Sequence, residues 1–420
     1  MSVVANRLKE AFALTRGYPG RLWLVCFAAY ALCQMDLALW SYALPLIRKE
    51  YGLTRTELGA LTGAAFALGG LALLWLSLLA DRYGRRAPMV FGTAASSLFV
   101  AAHAVVPGLV AMCAVRAGSI ASGGLLYTAT GALMAEEAPP KIRGLMTGLL
   151  QVAYPLGWAL ASLSAIWLLT PFGWRVLFLT GLFTLPFAWV IHRTVRESSR
   201  FEAPVAGEPR ASIMELFAPG MRRRTLTLFV AQYFFVIAYG GAFIFAPIYF
   251  HEARGFDIAN TATLVGLSNL IGAGGYLMAA WIGEFYLTRR ATTIVFTLLG
   301  GFFFVIFLWL STSYMESMIA FSVMAVFLLG TAAVKFAYVV ELFPTRLRAT
   351  GIAFSGSFAA TLGQATGPAL IGWMADRHGW DFAMFVGGAL PLITAGVLYL
   401  FLKPVPSGLD VDEIQRRLAS

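Results

Sequence analysis

The sequence predicts an all-α membrane protein, with twelve transmembrane helices arranged as two pseudo-symmetric six-helix halves. Three observations lead there. Hydrophobic residues make up 59% of the 420 positions and charged residues only 12%, with a mean hydropathy of +0.75. So few charges cannot cover the surface of a soluble chain, and most of that surface must face lipid. The apolar runs reach about 20 residues, the length a helix needs to span a bilayer, and they lack the period-2 alternation of a membrane barrel. The third observation is an internal repeat roughly 205 residues apart. Glu136, Pro139 and Arg143 recur with the same spacing as Glu341, Pro344 and Arg348, Gly173-Trp174 recurs as Gly379-Trp380, and Arg85-Arg86 recurs as Arg289-Arg290. A duplication in so apolar a chain points to a transporter built from two similar halves around a central site.

The first half covers 1–193. Residues 1–21 are basic and polar, so no cleavable signal peptide is expected, and the first span (22–46) serves as the uncleaved insertion signal. The charged run Asp81–Arg86 separates the second span (57–80) from the third (88–106). The fourth (108–135) carries Arg116 and closes at the Glu136–Arg143 loop. In the fifth (144–170), Gln151, Tyr154, Pro155 and Trp158 share one helical face, and the Gly173-Trp174 corner opens the sixth (174–193). A polar connector, 194–224, follows with three Pro, four Glu and six Arg, and a short helix is expected near Ile213–Phe217. The second half (225–402) holds spans at 225–250, 261–285, 291–311, 315–340, 350–375 and 381–402, and 403–420 forms the tail. Paired glycines inside spans, such as Gly240-Gly241 and Gly272/Gly274/Gly275, let helices approach closely.

The net charge of +10 is topological. The N-terminus, the even-numbered loops and the tail hold 23 of the 31 Lys and Arg, the odd-numbered loops hold six, and Arg116 and Lys335 lie within spans. This asymmetry puts both termini in the cytoplasm of a plasma (inner) membrane, and it excludes a nucleic-acid partner. Cys26, Cys33 and Cys113 sit inside spans at no metal-ligand spacing. The loops leave no room for a soluble active site, and no metal or nucleophile cluster is present. The chain is therefore expected to be a monomer embedded in the lipid bilayer, with no cofactor and no enzymatic activity.

The run Leu79-Ala80-Asp81-Arg82-Tyr83-Gly84-Arg85-Arg86 resembles the signature loop of the major facilitator superfamily, with Ser77 where the motif usually begins with Gly. Arg116 followed by Gly123-Gly124 resembles that family's fourth-helix motif, with Ile120 and Ser122 at positions that commonly hold Gly. The resemblance covers essentially the whole chain. It implies the major facilitator fold, alternating access, and a cytoplasmic gate formed by Asp81, Arg85, Glu136 and Arg143, repeated in the second half by Arg289, Glu341 and Arg348. Glu284 would be the counterpart of Asp81, one residue out of register. The segment Met35–Pro45 looks like the first helix of the aromatic-acid:proton and related metabolite:proton symporters. Those carry two acids three apart, whereas here Cys33 takes the first position and only Asp36 remains. The Glu197–Phe201 run and ELFPTRLRATG resemble the same branch, although sugar porters share versions of both.

Ionisable groups deep in a span are costly and mark function. Asp36 lies ten residues before Leu46, and Arg116 eight after Gly108, so they sit at similar depths of about 15 and 12 Å from the outer end. An ion pair across spans one and four is expected. Burial holds a proton on a carboxylate and a nearby guanidinium drives it off, so a state-dependent contact would switch proton affinity. A substrate anion competing for Arg116 would release Asp36 to take a proton; a static pair that fixes packing is the plainer alternative. Lys335, about 30 Å from its outer end, is either an anion-binding cation or a lysine reaching the cytoplasmic headgroups. Tyr127, Gln151, Tyr154, Trp158, Gln232, Tyr239, Asn269, Tyr276, Tyr338 and Gln364 complete the candidate substrate-binding set, offering rings to stack and polar groups to hydrogen-bond. His103 reads as a structural or interfacial histidine. One acid and two cations favour proton-coupled uptake of a small organic anion, a monocarboxylate and possibly aromatic. The alternatives are a proton-coupled exporter of drugs or metabolites and a sugar or polyol symporter.

Overall fold

A computed structural model describes residues 16–139, 142–198, 212–344 and 347–403; within these, the side chains of 78–82, 143–145, 336–337, 340 and 349 are not described. Asp81, Arg143, the middle of the connector (199–211) and the tail beyond Lys403 therefore lie outside the described side chains. The described residues are almost entirely helical. Ten helical stretches are long and apolar enough to cross a membrane. One of them, Met146–Thr194, contains both the fifth and the sixth expected spans. The eleventh expected span is also helical, as Arg348–Ile352, Ala353–Phe358 and Ala359–His378, but Gly, Thr, Gln and Pro make it too polar to qualify by composition. The side chains exposed on these helices include Trp75, Trp167 and Phe183, each more than 70% exposed, as a lipid-facing surface requires.

The repeat is visible in the backbone. Gly173 (φ 76°) and Gly379 (φ 82°) adopt the same left-handed, extended conformation, which only glycine enters without strain. Each is followed by a buried tryptophan, Trp174 and Trp380. Pro155 also leaves a mark. It cannot donate to the Gln151 carbonyl, so the Tyr154 amide takes that acceptor at 3.1 Å, and the helix is interrupted between Leu150 and Ala153.

The chain divides into two compact units, Met1–Ala43 with Leu68–Ala206 and Leu44–Ala67 with Gly207–Ser420. The end of span one and the start of span two thus group with the second unit. Small residues explain this. A Cβ on Gly59 would stand 2.3 Å from the Pro368 carbonyl oxygen, and one on Gly63 would stand 2.2 Å from that of Ala365. Span two meets span eleven backbone to backbone. In the first unit, a Cβ on Gly123 would lie 2.9 Å from Cys33 Sγ, so the fourth-helix glycine lets spans one and four close on each other. Wide π turns interrupt spans seven, eleven and twelve at Gly240–Ile244, Ala353–Phe358 and Phe385–Ala389.

Candidate transport site

Asp36 and Arg116 are both buried in the first unit, at 0% and 2% exposure. They do not form the expected ion pair. Arg116 donates from Nη2 to the Leu37 carbonyl at 3.1 Å, one peptide along from the carboxylate, and its guanidinium lies over the Trp40 ring at 5.2 Å. Asp36 Oδ1 faces the Thr184 hydroxyl at 3.5 Å, while Oδ2 is buried with no hydrogen-bond partner among the described residues. Trp40 was not singled out from the sequence, although it stands four residues from Asp36 on one helical face. Thr184 comes from a distant span, and no spacing signals it. His103 stacks on Phe178 at 4.5 Å and tilts against Trp40 at 5.8 Å, and its Nδ1 lies 2.9 Å from the Phe99 carbonyl.

The aromatic candidates of the first unit are contiguous. Gln151 Nε2 lies 3.4 Å from the Tyr127 hydroxyl, and Tyr127 packs against Tyr30 with ring centroids 4.9 Å apart. Tyr154 and Tyr42 both face Trp158, at 6.0 and 6.5 Å. Tyr30 and Tyr42 belong to this patch although sequence reasoning did not select them.

In the second unit, Lys335 is buried. Its ammonium donates to Gln232 Oε1 at 2.7 Å and sits 3.4 Å above the Phe235 ring centroid. Among the described residues no carboxylate pairs with it. Tyr239 meets Phe243 edge-on at 5.1 Å. Asn269 donates to the Val265 carbonyl, and its own carbonyl oxygen is buried with no partner. Tyr276 is buried, Gln364 is half-buried, and the Tyr338 hydroxyl donates to the Lys403 carbonyl. Phe235 is the member the sequence reading missed.

The matched loop charges form matched ion pairs, one in each unit. Arg85 binds Glu136 at 3.3 Å, and Arg289 binds both Glu341 and Glu284, so Glu284 takes part despite its offset. Glu197 adds a carboxylate to the first set: it accepts from the backbone amides of Arg85 and Arg86. Gly84 (φ 83°) makes room for it, since a Cβ there would stand 2.4 Å from a Glu197 oxygen. Arg348 is half-buried.

At the other ends of the second unit's helices lies a cluster that the sequence reading did not assign. Thr54 and Glu57 form a capping box at the start of span two. The next two amides, of Arg55 and Thr56, donate to Asp376 across from span eleven. Burial pushes the Asp376 carboxyl up, but the Thr56 hydroxyl, these two amides and the Arg55 charge outweigh it and hold the group below the ordinary carboxylate range. A depressed value in the folded state means that the cap contributes fully above the ordinary carboxylate range and is lost as pH falls through the depressed one. Stability in detergent should thus be unaffected by this group from pH 8 to pH 5 and fall below that. Asp376→Asn should remove this acid-side loss, which is of the order of 1 kcal/mol for an exposed cap. Equal acid-side loss in parent and variant would refute the assignment.

The Major Facilitator Superfamily profile matches residues 26–359 and 286–419. The chain belongs to the major facilitator superfamily. It is similar to the cis,cis-muconate transport protein of Acinetobacter baylyi, with 30% identity over 91% of this chain and 94% of the relative. It is also similar to a niacin transporter of the same organism, at 25% identity over 94% and 95% of the two chains, and to that organism's 4-hydroxybenzoate transporter, at 25% over 97% and 96%. Among solved structures, a D-xylose-proton symporter superposes with a TM-score of 0.72 at 19% identity, covering 92% of this chain and 97% of the other; at that identity the likeness shows the fold alone. This protein is accordingly a multi-pass membrane transporter and not an enzyme.

Proposed function

We propose that this transporter takes up a small organic anion, a monocarboxylate of the aromatic or related kind, together with protons, by alternating access. It would do so across the plasma (inner) membrane with both termini in the cytoplasm. One observation carries the reading: a fully buried carboxylate, Asp36, with one oxygen unpartnered, on the same helical face as the tryptophan that Arg116 covers. A buried charge without a cation is costly, and taking a proton removes the cost. Arg116 offers a planar fork that suits a carboxylate, and Lys335 over Phe235 gives the second unit a buried cation that no carboxylate among the described residues pairs with. The relatives named above are transporters of muconate, niacin and 4-hydroxybenzoate, which supports an organic-acid substrate. The ion pairs at Arg85 and Arg289 would serve as cytoplasmic latches.

The test is uptake of labelled nicotinate, 4-hydroxybenzoate, cis,cis-muconate and xylose into proteoliposomes with an imposed pH gradient, read against protein-free vesicles. Acid accumulation that follows inward proton flow supports the reading. Acid uptake equal with and without the gradient, or gradient-driven expulsion, rejects symport, and uptake of xylose alone rejects the substrate class.

A further inference from the structure

The cluster at the far ends of the second unit's helices carries more than a cap. Glu252, at the end of helix Ala246–Glu252, is one carboxylate shared by three donors. Arg48 from the end of span one binds Oε1 at 2.6 Å, and Arg55 from the start of span two binds Oε2 at 3.2 Å. The Trp380 indole donates to the same Oε2 at 3.0 Å, and the Arg55 guanidinium lies 5.2 Å over that indole. These contacts tie the ends of four spans, one, two, seven and twelve, through a single acidic side chain. Beside it lies a cavity of about 530 Å³ whose lining includes Arg48, Lys49, Arg55 and His251, with Glu252 as the one acid among the described lining residues. The size is that of a small-molecule site. Arg48 Nε is buried there with no acceptor, and His251 Nδ1 is 2.9 Å from the Phe256 carbonyl.

We propose that this cavity is a carboxylate-binding station in which an arriving organic acid displaces Glu252 from Arg48 and Arg55 and so unties the four helix ends. The chemistry is an exchange of like for like. The guanidiniums keep a carboxylate partner throughout, so none is left buried and unpaired, and the surplus of positive charge attracts the acid before it arrives. A neutral amide of the same shape cannot make the exchange. On the membrane orientation proposed above, the station faces outside, and it would make the first contact with substrate.

Trp380 reports the latch directly. The protein labelled with 5-fluorotryptophan, its Trp380 line assigned by loss in Trp380→Phe, is titrated with nicotinate and, separately, nicotinamide. Nicotinate should move the Trp380 line toward its position in Glu252→Gln, and nicotinamide should leave it in place. In Glu252→Gln the guanidiniums have lost their internal competitor, so the midpoint for binding of labelled nicotinate should fall at least tenfold; Glu252→Asp serves the same comparison with the charge retained. A Trp380 line identical in parent and Glu252→Gln overturns the latch. A shift of equal size with nicotinamide, or a midpoint that rises in Glu252→Gln, overturns carboxylate exchange. This readout does not depend on uptake: an acid that shifts Trp380 but is never transported defeats the proposed function and leaves the station standing.

Discussion

Replacing Arg116 by alanine should reduce acid uptake about 10- to 100-fold, almost wholly through KM. A hydrogen bond to a charged group contributes about 1.5–3 kcal/mol, and each 1.4 kcal/mol is tenfold in affinity. Arg116→Lys keeps the charge but loses the planar fork, so it should recover no more than about a tenth of parent activity. The side chain also donates to the Leu37 carbonyl and covers Trp40, so a purely structural role must be separated from a binding one. The separation comes from thermal melting in detergent measured beside the kinetics. A variant that melts near the parent and shows a raised KM supports a substrate contact, whereas a loss confined to protein yield and melting temperature, with KM unchanged, assigns Arg116 to packing alone.

Asp36→Asn should have an effect of equal size and different kind. The amide fills the same space beside Thr184, so the helix packing of the first unit should survive. What it lacks is a site for the coupled proton. With one proton per anion, a gradient of one pH unit supports about tenfold accumulation, since a pH unit corresponds to 1.36 kcal/mol. The variant should equilibrate its acid with no accumulation above protein-free vesicles, and it should keep exchange of labelled for unlabelled acid.

Much of this architecture was legible in the chain. The repeat marked matched corners and matched loop charges; Gly173 and Gly379 share one backbone conformation, and Arg85 pairs with Glu136 as Arg289 does with Glu341. Its breaks were legible too, and the structure supplies their reason. Gly241 stands where the register would place a second Asp36, and a Cβ there would meet the Gly387 carbonyl oxygen at 2.5 Å, so two π turns leave no space for a carboxylate. Phe321 stands in the place of Arg116 and is buried against Phe243, Phe250 and Phe307. The partners of Asp36 and Arg116 were not legible. Depth along two helices says that two groups lie level, but not which way each turns, and Arg116 found a backbone carbonyl instead. The cluster at Glu252 escaped notice because its members stand at the ends of spans, where charges read as solvated. The Thr54–Glu57 capping box carries a local sequence signature, but it was not picked out either.

Asp36 is proposed to carry the proton that moves with the acid. Its most direct test is proton entry itself, recorded with a pH-sensing dye sealed inside proteoliposomes when an acid shown to be transported is added outside with no gradient imposed. The lumen should acidify beyond that of protein-free vesicles in the parent, and not in Asp36→Asn despite intact acid exchange. Acidification of the same rate in both proteins would contradict it.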